Sequence, residues 1–427
     1  MTVNGDGTDV LGELMWRGLV AQSTDEAALR AAFAGGPVTY YCGFDPTAPS
    51  LHIGNLVQIL VLRRLQLAGH RPLALVGGAT GLIGDPKATA ERTLNDRDVV
   101  AAWVERIRTQ IQPLLDFEGP CAARMVNNLD WIAPMSAIDL LREVGKHFRV
   151  NRMLAKEAVS ARLNSDAGIS YTEFSYQIIQ GYDFLELYRR HGCTLQVGGS
   201  DQWGNLTSGA DLIHRTEQVP VHLLATPLIT KADGTKFGKT ESGTVWLDGA
   251  MTSPYAFYQF WLNAEDAKIG DYLRVFTFRD GEQIAELEES TRTAPAARVA
   301  HQALAADVTT LVHGAEATRR VQAASQALFG RGELAALDPA TLADAVAELP
   351  RATVERKEYS VVDLLVASGL VASRSAARRT IAEGGAYVNN QKIASEDDVV
   401  WPENALHGQW LVLRRGRKTL AAVGLGE

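Results

Sequence analysis

Three short apolar runs, VTYYCGF at 38–44, PLALVGG at 72–78 and CTLQVGG at 193–199, constrain the fold of this chain more than any other feature. Each has the length of a strand, carries glycine at its end and gives way to a helical pattern. Strands alternating with helices build a parallel sheet covered on both faces, and such sheets bind ligands at the carboxyl ends of their strands. The fold class is therefore α/β, and the three glycine-bearing ends are expected to meet in one crevice.

A chain of 427 residues is too long for one comfortable core, so two or three domains are expected. The α/β pattern occupies residues 1–250. From 251 the texture changes: MTSPYAFYQFWLN opens a stretch rich in Ala, Leu, Glu and Arg whose helical periodicity runs to 347. Residues 348–357 read as a polar linker. In 358–427, VVDLLVASGLVASRSAARRTIAEGGAYVNNQKI reads as helix, turn, helix, Gly-Gly turn and strand, with a further strand at 409–414.

The apolar fraction of 46% and charged fraction of 22% suit a globular chain. No apolar stretch is long enough to span a bilayer, and the acidic start MTVNGDGTDVLGEL lacks the features of a signal peptide, so a membrane is not an expected partner. Three widely separated cysteines, Cys42, Cys121 and Cys193, suggest free thiols in a reducing cytoplasm. The net charge of −8 argues against indiscriminate coating of nucleic acid, DNA included. Residues 351–427 nevertheless carry 11 Lys/Arg against 9 Asp/Glu, leaving −10 for the rest. A polyanion partner is expected at that end.

After the first strand, Asp45 and Thr47 lie in a turn shaped by Pro46 and Pro49, and His52 and Asn55 fall in the first turn of a helix. A helix start offers unpaired N–H groups to a phosphate, and residues three apart share a face. Gly54 lets a flat ligand approach the backbone. His52 is either a capping or core histidine, or an anion donor. The loop KADGTKFGKTESG (231–243) has no apolar period and three lysines, Lys231, Lys236 and Lys239. It is either an ordinary solvated loop or a flexible flap that closes on a triphosphate. In YTEFSYQIIQGYDF (171–184), Tyr176, Gln180 and Asp183 share one helical face among apolar neighbours. Buried polar atoms need partners, which neighbouring strands or a polar ligand could supply. VGGATGLIGDP (76–86) and VGGSDQWGNL (197–206) are glycine-rich turns with Asp85 and Asp201 at their mouths. Neither is a P-loop, and neither fits G-x-G-x-x-G with its following acid.

Together these segments resemble one family. HIGN (52–55) resembles the H-I-G-H signature of class I aminoacyl-tRNA synthetases, and KFGKT (236–240) resembles their K-M-S-K-S loop. YCGFDPTAPSLHIGNL, GGATGLIGDP, EFSYQIIQGYDF and GGSDQWGN closely resemble bacterial tyrosyl-tRNA synthetases, and SRSAARRTIAEGGAYVNNQKI is similar to an S4-type RNA-binding domain. The resemblance implies a Rossmann-like parallel-sheet catalytic domain, an α-helical anticodon-side domain and a small α+β S4-like domain. It implies a homodimer, with 131–148 at the interface, and a reaction in which tyrosine attacks the α-phosphorus of ATP before transfer to tRNA(Tyr).

The resemblance also implies roles. His52 and Asn55 donate to the phosphates with Thr47 nearby, and Lys236 and Lys239 clamp the pyrophosphate, assisted by Lys231. Tyr41 and Asp183 stand at the phenol hydroxyl. Tyr176, Gln180 and Asp85 hold the ammonium, with Gln202 and Thr80 close by. Cys42, Gly43, Asp45, Gly54, Gly199 and Asp201 contact the nucleotide. Mg²⁺ accompanies the pyrophosphate, with no dedicated protein metal site. For tRNA it points to His214, Arg215, Arg374, Arg378, Arg379, Arg414, Arg415, Arg417 and Lys418. Two departures stand out: Asn55 replaces the second signature histidine, and the turn 85–92 is short, so Lys87 and Arg92 receive no phosphate role. A tryptophanyl enzyme would share the fold but have no use for a Tyr41/Asp183 pair. A catalytically idle RNA-binding relative would be expected to have eroded signatures.

Overall fold

The computed structural model of the chain describes residues 9–86, 93–165, 168–240, 243–416 and 418–426. It divides into two compact units, Met1–Met251 with Glu265–Pro295, and Thr252–Ala264 with Ala296–Glu427.

The first unit is built on six strands: β1 (Gln22–Ser23), β2 (Thr39–Phe44), β3 (Arg71–Val76), β4 (Arg124–Asn127), β5 (Cys193–Gly199) and β6 (His222–Thr226). Their order is β1-β6-β5-β2-β3-β4, parallel except for β1. The three expected strands are β2, β3 and β5, side by side at the centre. The chain leaves β2 towards β3 and returns to β2's other edge as β5, so a switch point lies between β2 and β5. A crevice opens at such a point beyond the carboxyl ends.

Three helices frame it. In α1 (Ile53–Leu67), Ile53, Leu56, Ile59, Leu60 and Leu62 are all buried. α2 (Tyr171–His191) starts where Ser170 Oγ accepts from the Glu173 N–H, and stops at Gly192, whose φ of 62° suits a left-handed cap. α3 (Trp203–Glu217) follows β5. The lysine-bearing loop ends in a small hairpin of β7 (Lys239–Thr240) and β8 (Gly243–Thr244).

Residues 265–295, expected in the helical domain, group with this unit instead. The reason is local: buried Arg17 and Arg64 donate to the carbonyls at the end of the helix Ile269–Phe276, Arg64 to Thr277 O at 2.6 Å and Arg17 to Arg274 O at 3.0 Å. Guanidinium groups satisfy the orphan carbonyls of a helix end.

In the second unit, α4 (Pro254–Leu262) packs on α5 (Val299–Leu328), a helical run broken at Gly314, whose φ is 86°. Then follow β9 (Arg351–Val354), β10 (Tyr359–Ser360), α6 (Val361–Ala367), α7 (Arg374–Ala382), β11 (Ala386–Val388), β12 (Gln391–Lys392), β13 (Val399–Val400), β14 (Trp410–Arg415) and β15 (Thr419–Leu425). The five-stranded sheet runs β12-β11-β14-β15-β9, its core formed by Leu364, Leu365, Ile381, Leu411 and Leu413 among others. The stretch expected as a linker thus contributes β9, paired in parallel with β15. Its alternation of exposed and half-buried residues looks polar because it is an edge strand.

Candidate active site

A cavity of about 590 Å³ opens at the switch point. Tyr41, Cys42, Gly43, Asp45, Thr47, His52, Gly54, Asn55, Thr80, Asp85, Tyr176, Gln180, Asp183, Gly199, Asp201, Gln202 and Lys236 all line it. The sequence separates these residues by as much as 195 positions, and the sheet brings them together. Lys231 does not line the cavity; it anchors a turn in which its N–H donates to Thr235 O at 2.8 Å. The side chain of Lys239, and residues Lys87, Arg92 and Arg417, lie outside the described residues.

His52 is the N-cap of α1. Its Nδ1 accepts from the Gly54 N–H at 3.0 Å, while Asn55 Oδ1 accepts from the His52 N–H at 3.0 Å. This capping box uses the acceptor atom of each side chain. In the neutral ring the proton is thereby placed on Nε2, and the Asn55 amide nitrogen remains as its donor. Capping and anion donation, alternatives in the sequence, are compatible in one residue.

At the other end of the cavity, Asp183 is almost wholly buried and accepts from Trp131 Nε1 at 2.8 Å and Asn128 Nδ2 at 3.0 Å. Burial pushes its carboxyl up to about 8, against those two hydrogen bonds. Beside it the Tyr41 hydroxyl is buried and has no hydrogen-bond partner, with its ring 5.3 Å from that of Phe184. Burial and the Asp183 charge hold that phenol well above its ordinary value, so it is a neutral donor.

Between these ends, Tyr176 O–H donates to Asp45 Oδ2 at 2.6 Å and Thr80 Oγ1 to Asp45 Oδ1 at 2.6 Å. Asp45, expected at the nucleotide, is therefore also the hub that fixes Tyr176. Thr80 Oγ1 in turn accepts from Asn128 Nδ2 at 3.0 Å. Gln202 Nε2 donates to Asp85 Oδ2 at 3.0 Å, and Asn205 Nδ2 to Asp85 Oδ1 at 3.3 Å. Gln180 Oε1 is buried without a partner. A carboxylate, a phenol and an unpaired amide oxygen so placed suit a cation with several N–H donors. The Cys42 thiol is pushed up to about 12 by burial, so it serves as a small neutral wall.

Sequence reasoning missed Asn128, Trp131, Asn205 and Gln196. The first two follow β4, whose carboxyl end the rule for parallel sheets would have flagged. Gln196 interrupts an apolar strand, and its Oε1 is buried without a partner.

The loop is more ordered than the sequence suggests. Thr230 bridges Lys236, Asp233 Oδ1 accepts from both the N–H and Oγ1 of Thr235, and Phe237 stacks on Tyr272 with centroids 4.1 Å apart. Exposed Lys236 is thereby held at the cavity mouth.

His214 and Arg215 occupy the last turn of α3, and Arg215 donates to His147 O. In the second unit Arg374 pairs with Asp363 at 2.5 Å and Arg378 with Glu396 at 3.1 Å, so these cations are not bare. Arg414 lies 3.8 Å over the Tyr387 ring and donates to Gly416 O, while Arg379, Arg415 and Lys418 are exposed.

Residues 34–330 match the family of "tRNA synthetases class I (W and Y)", and the chain belongs to that family. Residues 341–423 match the "Tyrosine--tRNA ligase SYY-like C-terminal domain". The chain is 71% identical to a tyrosine–tRNA ligase of Streptomyces avermitilis over 97% of its own length and 99% of that protein. It is 63% identical to one from Acidothermus cellulolyticus, covering 97% and 99%. A truncated mitochondrial tyrosyl-tRNA synthetase of Coccidioides posadasii superposes with a TM-score of 0.66 at 31% identity, covering 74% of this chain and 91% of that one. Within the class I family, this chain falls in the tyrosine–tRNA ligase branch.

Proposed function

We propose that the cavity activates L-tyrosine with ATP, giving tyrosyl-adenylate and pyrophosphate, and that the tyrosyl group then passes to the 3′-terminal adenosine of tRNA(Tyr). The observation that carries this is the unpartnered, buried Tyr41 hydroxyl beside Asp183. A phenol O–H inserted there donates to an Asp183 carboxyl oxygen that Trp131 and Asn128 hold in place, and accepts from Tyr41, which thereby gains its partner.

The α-ammonium of the substrate fits Asp85, Gln180 Oε1 and Tyr176, which aim its carboxylate at the α-phosphorus. The amino acid supplies the nucleophile and ATP the leaving group, so the protein's task is alignment and charge neutralisation. His52 Nε2–H and the Asn55 amide donate to the phosphates, with Thr47 adjacent. Lys236 and Lys239 meet the departing pyrophosphate; Lys231, off the cavity, acts at longer range. Cys42, Gly43, Gly54, Gly199 and Asp201 enclose the nucleotide.

Among the described residues, no group of three His, Cys, Asp or Glu side chains stands ready to hold a metal. Mg²⁺ fits as a counter-ion carried in on the triphosphate, where it would offset charge on the leaving group. The basic surface of α7, β14 and the tail, with His214 and Arg215, would take the tRNA phosphates after exchanging the ion pairs of Arg374 and Arg378, which are weak at exposed sites. Ile138, Leu141 and Val150, 68%, 54% and 59% exposed, fit burial against a second copy of the chain. Among the described residues no helix is long and apolar enough to cross a membrane, and a reducing cytoplasm suits the free thiols.

Pyrophosphate exchange into ATP, run separately with tyrosine, tryptophan and phenylalanine, tests the reading. Exchange should be led by tyrosine. Tryptophan in the lead would overturn the specificity, and exchange with none would reduce the chain to an idle RNA-binding relative.

A further inference from the structure

The first unit holds a second cavity, of about 270 Å³, between α2, α3 and the segment 147–156. Its wall is cationic: Arg149, Arg152, Lys156 and Arg215 face one carboxylate, Asp211. Asp211 pairs with Arg152 at 3.1 Å and Arg215 at 3.6 Å, ion pairs exposed enough for a stronger anion to displace. Also lining it is Gln177, only 4% exposed, whose amide oxygen and nitrogen are both buried without partners. Leaving both atoms unpaired is unfavourable unless something completes them. A bare anion would satisfy the nitrogen alone. A planar edge with donor beside acceptor, as a nucleobase presents, satisfies both. Phe148, Met153 and Leu212 supply apolar wall for such a ring.

We propose that this cavity binds a nucleotide unit, its phosphate among Arg149, Arg152 and Arg215 and its base edge on Gln177, and that its occupancy is felt at Asp85. The connection is a continuous chain of hydrogen bonds. Lys156 Nζ donates to Asn205 Oδ1 at 3.1 Å and to Ser208 Oγ at 3.0 Å. Asn205 Nδ2 donates to Gln202 Oε1 at 2.9 Å and reaches Asp85 Oδ1 at 3.3 Å. Burial holds the Lys156 ammonium down to about 8, against the pull of Asp85, so a phosphate arriving in the cavity favours its charged form. The charged group turns towards the phosphate and loosens Asn205, and with it Asp85. This second half rests on the reading of Asp85 as the ammonium partner. Linkage makes it reciprocal: what binds at Asp85 alters nucleotide affinity by the same factor.

The test uses the full chain with its first cavity filled by a non-hydrolysable tyrosyl-adenylate analogue, titrated calorimetrically with AMP. One further binding event per chain is expected. It should weaken at least about tenfold in Gln177→Leu and in Arg149→Ala, and vanish with adenosine, which lacks the phosphate. No binding of AMP, or undiminished binding by Gln177→Leu, overturns the site. Retained tyrosine-dependent exchange shows that Gln177→Leu has folded; if it has not, Arg149→Ala and the adenosine comparison decide. A tRNA acceptor-arm hairpin that displaces AMP assigns the natural nucleotide to bound RNA, and failure to displace it assigns a free nucleotide; either upholds the site. For the coupling, AMP affinity is compared between the analogue and its desamino counterpart. A severalfold difference that disappears in Lys156→Met is expected. Equal affinities in the unaltered chain remove the coupling and leave the site, whereas failure of the analogue itself to bind would indict the synthetase reading instead.

Discussion

His52 caps α1 through Nδ1, and in the proposed reading its Nε2 serves the phosphates; the two purposes can be separated by substitution. Asparagine at position 52 can still accept from the Gly54 N–H and cap α1, but it cannot extend a donor as far as Nε2. His52→Asn should therefore leave the melting temperature unchanged while slowing adenylate formation about 100-fold, the scale of one lost transition-state donor. His52→Ala should add a stability loss of about 1 kcal/mol for the missing cap. Unslowed adenylate formation in His52→Asn, with only His52→Ala losing melting temperature, would show that the ring acts only as a cap. Tyr41 carries the opposite imbalance, a buried unpartnered hydroxyl that the proposed substrate phenol would satisfy. Tyr41→Phe should stabilise the free chain by about 1 kcal/mol and weaken discrimination of tyrosine over phenylalanine about tenfold. Paired chemical denaturation and exchange assays check both signs. For Asp183, the carboxyl titrates near 8 in the fold against 3.8 ordinarily, so the folded chain holds the extra proton between those values. Its contribution to stability consequently falls as pH rises from about 4 to about 8. Melting curves of the unaltered chain should lose ground to Asp183→Asn across that window, and a pH-independent difference would discard the raised carboxyl. The spacing of Tyr176, Gln180 and Asp183 was legible because a helix has a fixed period. Asn128 and Trp131 were not, because only a folded sheet brings β4's end to a helix residue 55 positions from Asn128.

At the scale of elements, the segments visible beforehand were those whose local chemistry and tertiary role agree. β2, β3 and β5 are buried on both faces, so their apolar runs are continuous, and α2 begins with Ser170 and ends at Gly192. The short strands β9, β10 and β12 escaped, since two to four residues carry no period and exist only through pairing. The lysine loop escaped for another reason: glycines and lysines lack periodicity, yet Phe237 and the Asp233 turn fix the loop at its base. One further tertiary device is Arg162–Glu173, an ion pair at 3.0 Å with both side chains 1% exposed, joining the helix Glu157–Leu163 to the first turn of α2. Removing one charge from such a pair leaves the other buried without its counter-charge, even though Arg162 Nε keeps its bond to Gly168 O at 2.8 Å. Glu173→Gln should cost about 3 kcal/mol and, by loosening the start of α2, raise the KM for tyrosine more than that for ATP. Denaturant midpoints and steady-state exchange give the two readings; an unchanged midpoint would mean that the arginine is satisfied without its partner.

At the scale of the molecule, charge asymmetry and a change of texture announced a separate basic C-terminal part, but its starting point depends on a strand pairing that composition cannot show. β9 belongs to the last sheet through β15, and His407 bonds Leu337 O at 2.8 Å while Asn390 donates to Ala327 O at 2.6 Å. Within the second unit, the C-terminal sheet is therefore braced against the helices rather than strung from a free tether. Two truncations separate these views. Removing 358–427 leaves β9 without its partner strand, whereas removing 348–427 takes the whole sheet away. Both should retain tyrosine-dependent exchange, because every cavity residue lies in the first unit. Both should charge tRNA more weakly, with a shallower dependence of affinity on salt than the full chain, since the deleted arginines and lysines would otherwise neutralise phosphates. The longer fragment should also aggregate more readily, because an unpaired strand edge recruits other chains. Light scattering at matched concentration reports the last point. If both fragments stay equally monodisperse, the freed edge of β9 does not recruit other chains; if both charge tRNA as well as the full chain at moderate salt, the basic tail is not the tRNA surface.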